Sequence, residues 1–295
     1  MENKSIMYKM LRGIWHHIPK RPKKRMLDWK VYISYKSRIR KFYKTIDLDN
    51  MPVFKAIEIE TLNRCNGKCA FCPVNVNQKQ RPYAKMTEEL FYKLIGDLER
   101  INYNGIVSLY SNNEPFLDER MPEFLKYARE HLPNAFHQIY TNGTMLTLKL
   151  FDQVIPYIDR MVLDNYSDGI KIPPKLMALK KHIDSGDNKD KVVFAMRIED
   201  EVMTSRGGQA PNKKKAKAVS HGCILPFQQM VIRPTGKVSL CCNDALGIYT
   251  LGDANRDFIL DIWNSDRYNS IRKEHIKNKR KRLKLCKACD TQIWI

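Results

Sequence analysis

The chain has 295 residues, 43% of them hydrophobic, which suffices for one large domain with an appendage or for two modest domains. Its formal net charge of +20 favours anionic partners, such as phosphorylated or uronic substrates, nucleic acid or acidic lipid headgroups. No apolar run is long enough to span a membrane, and Lys4, Lys9 and Arg12 interrupt any signal-peptide core, so a cytoplasmic enzyme is expected. Residues 1–50 form a strongly basic arm. Ile6, Met7, Met10, Leu11, Ile14, Trp15 and Ile18 recur at helical spacing, Pro19 ends that helix, and a basic turn follows from Arg21 to Arg25. A second set, Trp29, Val31, Tyr32, Tyr35, Ile39, Phe42 and Tyr43, is interleaved with lysines and arginines. Two readings stay open: an interfacial helix making a peripheral contact with the inner membrane surface, or a helical arm packed on the main domain. Nucleic acid is not expected as a partner, because no binding fold accompanies the charge.

Residues 51–220 alternate strand-like and helix-like segments. A first strand is read at Phe54 to Glu60. A helix capped by Thr87 follows, with Glu88 and Glu89 in its first turn and Leu90, Phe91, Leu94, Ile95, Leu98 and Ile101 on one face. Further strands are read at Gly105 to Tyr110, Phe136 to Tyr140, Arg160 to Leu163 and Val192 to Ile198, with helices at Met121 to His131 and Leu148 to Ile158. Residues 166–191 read as polar and helix-poor. Such alternation implies βαβ units and a parallel sheet, with functional residues beyond the C-terminal ends of the strands. Residues 221–295 then carry a hairpin pattern, Gln229 to Arg233 and Lys237 to Cys242, around Gly236. A helical stretch through Ile262, Trp263 and Asn264, a basic run and a closing Cys286-Lys287-Ala288-Cys289 complete the chain.

The eight cysteines fall in two groups, Cys65 to Cys72 and Cys223 to Cys289. Grouping of this kind favours metal sites over a disulfide scaffold. Cys65, Cys69 and Cys72 stand at C-x3-C-x2-C spacing directly after the first strand. Three soft thiolates on one short loop suit a cubane iron–sulfur cluster with one iron left open, whereas mononuclear zinc usually takes four protein ligands. A structural zinc loop is the alternative on spacing alone. Cys241 and Cys242 are adjacent, so on a strand they point to opposite faces, and only one of them is expected to meet a metal near Cys223.

The first loop, Asn63-Arg64-Cys65-Asn66 through Phe71-Cys72, closely resembles the signature of the radical S-adenosylmethionine (SAM) superfamily. The resemblance implies that Cys65, Cys69 and Cys72 each bind one iron of a [4Fe-4S] cluster whose fourth iron chelates SAM, and that an electron then cleaves the sulfonium to a 5′-deoxyadenosyl radical. Ser111-Asn112-Asn113-Glu114-Pro115 stands where the family carries a Gly-Gly-Glu-Pro-like motif near the SAM amino group; Asn112 and Asn113 replace the glycines. Thr141-Asn142-Gly143 resembles the family's segment near the SAM ribose and methionine. The resemblance makes Phe71, Asn113, Glu114, Thr141 and Asn142 candidate cofactor contacts, with Asp164 a cavity-lining candidate. Arg197, at the end of the last strand, is read as a partner for the SAM carboxylate or an anionic substrate. From Cys223 onwards the chain resembles the SPASM/twitch extension of that superfamily. This implies one auxiliary [4Fe-4S] cluster held by Cys223, Cys241, Cys286 and Cys289, with no open iron.

The implied fold is α/β: a partial (β/α)6 TIM-like barrel over residues 51–220 and a small cluster-binding hairpin and helix domain over 221–295. The implied activity is that of an oxidoreductase-type radical SAM enzyme that abstracts hydrogen from a sugar- or cyclitol-like alcohol, leading to dehydrogenation, epimerisation or dehydration. The auxiliary cluster would act as electron acceptor, and flavodoxin or ferredoxin would be the electron donor. A peptide-modifying maturase is the second reading, disfavoured by an N-terminal arm too short and too charged for a leader-peptide domain. A zinc-containing nucleic-acid-binding protein is the non-enzymatic one.

Overall fold

The structure, a computed structural model, describes residues 20–69, 71–165, 172–196, 204–211 and 217–292. The first amphipathic stripe, Ile6 to Ile18, lies outside these residues. The N-terminal part forms a unit of its own, separate from Asp47–Ile295. Its helix, Lys20–Tyr43 (α1), places Arg40 and Lys41 in the last turn, where they complement the helix dipole. Trp29, Val31 and Ile33 on α1 are exposed.

Residues 47–295 are organised by one sheet. Ala56–Ile59 (β1) leads through Glu88–Arg100 (α2) to Ile106–Ser108 (β2), then through Met121–His131 (α3) to Phe136–Thr141 (β3). Leu148–Val154 (α4) leads to Arg160–Asn165 (β4), and Pro174–Ser185 (α5) to Val192–Met196 (β5). The strand order is β5-β4-β3-β2-β1-β6-β7. Gln229–Ile232 (β6) pairs parallel with β1, so six strands run in parallel, and only Val238–Ser239 (β7) pairs antiparallel, with β6. This is the partial barrel implied by the sequence. The expected hairpin around Gly236 (φ +77°) is present, but its first strand also completes the parallel sheet, so the sheet runs across the expected boundary near residue 220.

Local chemistry explains the elements. Thr87 caps α2, its hydroxyl accepting from the Leu90 N–H at 3.3 Å, and Thr147 caps α4 in the same way from Leu150 at 3.1 Å. Leu90, Phe91, Leu94, Ile95 and Leu98 pack the inner face of α2, and Phe91 stacks on Phe124 of α3 at 3.9 Å. The helix-poor reading of 166–191 is corrected by α5. Pro174 occupies its first turn, where the missing N–H costs nothing, and Leu176, Leu179 and Ile183 make a narrow buried stripe between polar residues.

After β7 come Ile259–Asn264 (α6) and Asp266–Ile276 (α7). Trp263 anchors them at the entry to β1, donating Nε1–H to the Pro52 carbonyl at 3.0 Å and meeting Phe54 edge-on. The fully buried Arg272 lies over Trp263 and Tyr268 and donates to the carbonyls of Pro226 and Trp263. The parallel strands point their C-terminal ends to one edge, where the first cysteine loop follows β1, whereas Cys223 precedes β6 and the antiparallel β7 carries the chain back so that Cys242 meets Gln229, the first residue of β6.

Candidate active site

The first cysteine loop leaves β1 and is braced where it starts. Asn63 donates to the Pro82 carbonyl at 2.7 Å and accepts from the Ala84 N–H at 3.0 Å, and the Glu114 N–H donates to the Arg64 carbonyl at 2.9 Å. Cys65, Cys69 and Cys72 are half-buried and border a cavity of about 530 Å³. A side chain at Gly67 would put its Cβ 3.4 Å from Cys65 Sγ and 3.5 Å from Cys69 Sγ, so the glycine keeps open the space beside these sulfurs. Burial pushes the Cys65 thiol up to about 11, and the charges of Glu114, Cys72 and Cys69 add to the shift. A thiol whose ionisation is opposed by burial and by nearby charge, beside two more thiols and with room left at the sulfurs, fits a metal cluster.

Glu114 holds the neighbouring loops together. Its carboxylate is almost fully buried and accepts from Thr141 Oγ1 at 2.6 Å, from the Asn142 N–H at 2.8 Å and from the Phe116 N–H at 3.3 Å. Asn142 in turn donates to Asn66 at 2.9 Å and lies 3.9 Å from Cys65 Sγ. The loop after β3 is therefore tied to the cysteine loop through two side chains that the sequence singled out. Asn113 accepts from the Ser111 N–H and leaves its Nδ2 without a partner; Asn112 leaves Oδ1 without one. One unused donor and one unused acceptor on the cavity wall suit a zwitterion. Phe71, Asn113, Glu114, Thr141 and Asn142 all line the cavity, as does Asp164. Arg197 lies outside the described residues.

A second hydrogen-bonded cluster lines the same cavity and was not legible in the sequence. Glu58 of β1 accepts from Ser111 Oγ at 2.6 Å and from Gln229 Nε2 at 2.8 Å. Gln229 Oε1 accepts from the Cys242 N–H at 3.0 Å, and Arg206 donates to the Cys242 carbonyl at 3.4 Å. Burial raises the Glu58 carboxyl to about 7, opposed by the Ser111 hydrogen bond and the Arg206 charge. Tyr110 and Tyr140 add facing rings 4.8 Å apart, and Gln138 donates to Ser108 Oγ at 3.1 Å. The only clue to this wall was the alternation of β1: Ile57 and Ile59 face one way, so Glu58 must face the other.

The second cysteine group is closed. Cys223, Cys241, Cys286 and Cys289 are all buried. Burial drives the Cys241 thiol far up, and Cys242, Cys286, Cys223 and Cys289 push in the same direction. Arg280, 1% exposed, ties the segment just before Cys223 to the one that carries Cys286 and Cys289. It donates to the carbonyls of Cys286 at 3.0 Å, Cys289 at 3.2 Å and His221 at 3.4 Å. Ser239 Oγ, Asn243 Nδ2 and Thr291 Oγ1, each two residues from Cys241 or Cys289, are buried without partners. Four dry thiols, a buried guanidinium and orphaned hydrogen-bonding groups fit an anionic cluster with sulfide acceptors.

The family model of the Radical SAM superfamily matches residues 59–202, and that of the SPASM iron–sulfur cluster-binding domain matches residues 223–290. The chain belongs to the radical SAM superfamily. It is 29% identical to the S-adenosyl-L-methionine-dependent 2-deoxy-scyllo-inosamine dehydrogenase of Niallia circulans over 239 residues, covering 81% of this chain and 93% of that protein. Among solved structures it resembles BtrN in complex with AdoMet and 2-DOIA, at 27% identity and a TM-score of 0.72, covering 82% of this chain and 95% of that one. An open conformation of BtrN gives 25% identity and a TM-score of 0.62, with 81% and 94% covered. AdoMet-bound anSMEcpe shares the fold, at 14% identity and a TM-score of 0.54, with 82% and 90% covered. The chain is thus an oxidoreductase-type radical SAM enzyme that uses SAM, a [4Fe-4S] cluster and an auxiliary cluster. Among the described residues no helix is long and apolar enough to cross a membrane.

Proposed function

We propose that this enzyme abstracts hydrogen from a hydroxyl-bearing ring carbon of a sugar- or cyclitol-like small molecule. In this reading Cys65, Cys69 and Cys72 hold the cluster that binds SAM, and Cys223, Cys241, Cys286 and Cys289 hold the auxiliary one. When bound, the first cluster supplies the electron that cleaves SAM to a 5′-deoxyadenosyl radical. The protein's own share is placement. Glu114 fixes Thr141 and Asn142 beside the cysteine loop, Asn112 and Asn113 offer an unused acceptor and an unused donor to the SAM amino and carboxylate groups, and Phe71 walls the adjacent space. The substrate's hydroxyls would meet Glu58, Ser111, Gln138, Arg206 and Gln229.

The observation that carries this reading is the single cavity that the three first-loop cysteines share with that polar wall. Its volume suits a small molecule beside a nucleoside. The relative's action on 2-deoxy-scyllo-inosamine points to the same substrate class. The surplus of basic residues would attract an acidic electron carrier such as flavodoxin or ferredoxin and favour a phosphorylated or nucleotide-linked substrate. The test is isotopic. Reconstituted anaerobically and reduced, the enzyme should form 5′-deoxyadenosine from SAM, and ring-deuterated aminocyclitols or nucleotide-linked hexoses should pass deuterium into it. Deuterium transfer from none of them rejects the substrate class; absence of 5′-deoxyadenosine rejects the reaction.

A further inference from the structure

Cys241 and Cys242 are neighbours in sequence with different surroundings. Cys241 is buried among Cys223, Cys286 and Cys289. Cys242 is less buried and forms part of the wall of the active-site cavity, on the side of Glu58 and Arg206. Three side chains hold its peptide unit. Gln229 accepts from its N–H at 3.0 Å, and Asn112 and Arg206 donate to its carbonyl at 3.1 and 3.4 Å. Asn112 lines the same cavity, is 5% exposed and keeps its Oδ1 unpartnered. Gln229 also donates to Glu58, so the residue that positions Cys242 positions a carboxyl as well. A cysteine needed only as filler would not require this support, and the second metal site has its four thiols without it.

We propose that Cys242 is a catalytic hydrogen-atom donor, returning hydrogen to the substrate carbon radical and making the net reaction an epimerisation. The inference rests on the hydrogen-abstraction reading above. The substrate C–H hydrogen passes to the 5′-deoxyadenosyl radical, giving 5′-deoxyadenosine and a carbon radical. That radical takes the hydrogen of the Cys242 S–H bond, which is weaker than the C–H bond formed, and leaves a sulfur-centred radical on Cys242. The sulfur radical takes up one electron from a low-potential one-electron donor of the flavodoxin or ferredoxin class and one proton from the Glu58 carboxyl. Glu58 recovers its proton from solvent. The substrate keeps its oxidation level and changes only its configuration, provided that hydrogen leaves from one face and returns to the other.

Two measurements need no substrate. In the reconstituted protein, iodoacetamide under anaerobic conditions should alkylate Cys242 and leave Cys223, Cys241, Cys286 and Cys289 protected, and Cys242→Ser should retain the iron of both clusters. Loss of half the iron in Cys242→Ser would make Cys242 a ligand and overturn the proposal. With SAM and dithionite in D2O, the 5′-deoxyadenosine formed should carry deuterium from the exchanged thiol. Its deuterium content per molecule should fall at least several-fold in Cys242→Ser; equal content in the two proteins overturns the proposal. In the ring-substrate panel, a product of unchanged oxidation level carrying one solvent deuterium supports epimerisation. A ketone formed equally by wild type and Cys242→Ser refutes it while leaving the hydrogen-abstraction reading intact.

Discussion

The two cysteine sites are built in opposite ways. The first takes its three thiols from a single loop of eight residues between Cys65 and Cys72, leaves them half-exposed, and opens onto the cavity. The second gathers four thiols from three segments spread between Cys223 and Cys289, buries all of them, and ties the first and last of these segments with Arg280. A local, open loop leaves coordination space for a small molecule. A site assembled from distant segments and sealed suits a centre that only passes electrons. The difference teaches that exposure, more than ligand type, separates a reacting cluster from a relaying one.

The sharpest way to break this comparison is to remove one thiol from each site. Cys69→Ala should abolish 5′-deoxyadenosine formation and lower the iron content by about half, because three ligands on one loop offer no substitute. Cys286→Ala should lose a similar share of iron, yet retain measurable SAM cleavage, because the first loop and its braces are untouched. Iron assay and product quantification decide both. Next comes Arg280→Ala. It leaves three buried carbonyls without their charged donor, and lost hydrogen bonds to a charged group cost about 1.5–3 kcal/mol each. A fall of the thermal midpoint by ten degrees or more is expected, together with loss of auxiliary-cluster iron ahead of first-cluster iron.

Arg280 also shows where sequence reasoning stopped. The first loop was legible because its spacing, its preceding strand and its flanking residues are all local. The Thr87-capped helix α2 and the amphipathic helix α3 were legible for the same reason. Arg280 sits among Lys277, Lys279, Lys281 and Arg282, and nothing in that run distinguishes a buried guanidinium from solvated lysines. Its partners lie as far as 59 residues away. Glu58 was hidden likewise, since its partner Gln229 is 171 residues distant. Helix α5 was missed because its stripe is only three residues wide and follows two prolines, which read as a loop. What the chain pattern conveys is the scaffold and the thiols; what it hides are charged groups made tolerable by remote neighbours.

Glu58 and Glu114, both buried carboxyls of the cavity, sharpen the contrast from the open side. The Glu58 carboxyl is raised to about 7, above the value near 4.5 expected when unfolded. The folded state therefore binds the extra proton, and this group's contribution to stability is full below pH 4.5, falls as pH rises through the window from 4.5 to 7, and levels off above it. The span corresponds to about 3 kcal/mol. Glu58→Gln keeps the shape and removes the titration, so its thermal midpoint should fall less than that of wild type over this window. Glu114→Gln faces its three donors with an amide and should lower SAM affinity roughly tenfold by breaking a charge-assisted bond of about 1.5 kcal/mol. Equilibrium dialysis with labelled SAM measures it.

Gly67→Ala should have the smallest effect, and it separates the two sites most cleanly. The new methyl would stand 3.4 and 3.5 Å from Cys65 Sγ and Cys69 Sγ and 3.8 Å from Asn142 Nδ2. These are ordinary or slightly tight contacts, so the loop can accommodate the methyl by shifts of a few tenths of an ångström. The methyl nevertheless occupies the side from which the loop meets Asn142, whose amide links Cys65 to the loop after β3. SAM affinity should fall only a few-fold, with the auxiliary iron unchanged. If Gly67→Ala instead bound SAM as wild type does, the space beside these sulfurs would be slack rather than shaped. Openness of the first site would then be a matter of exposure alone, without the fitted wall that Glu114 and Asn142 build beside it.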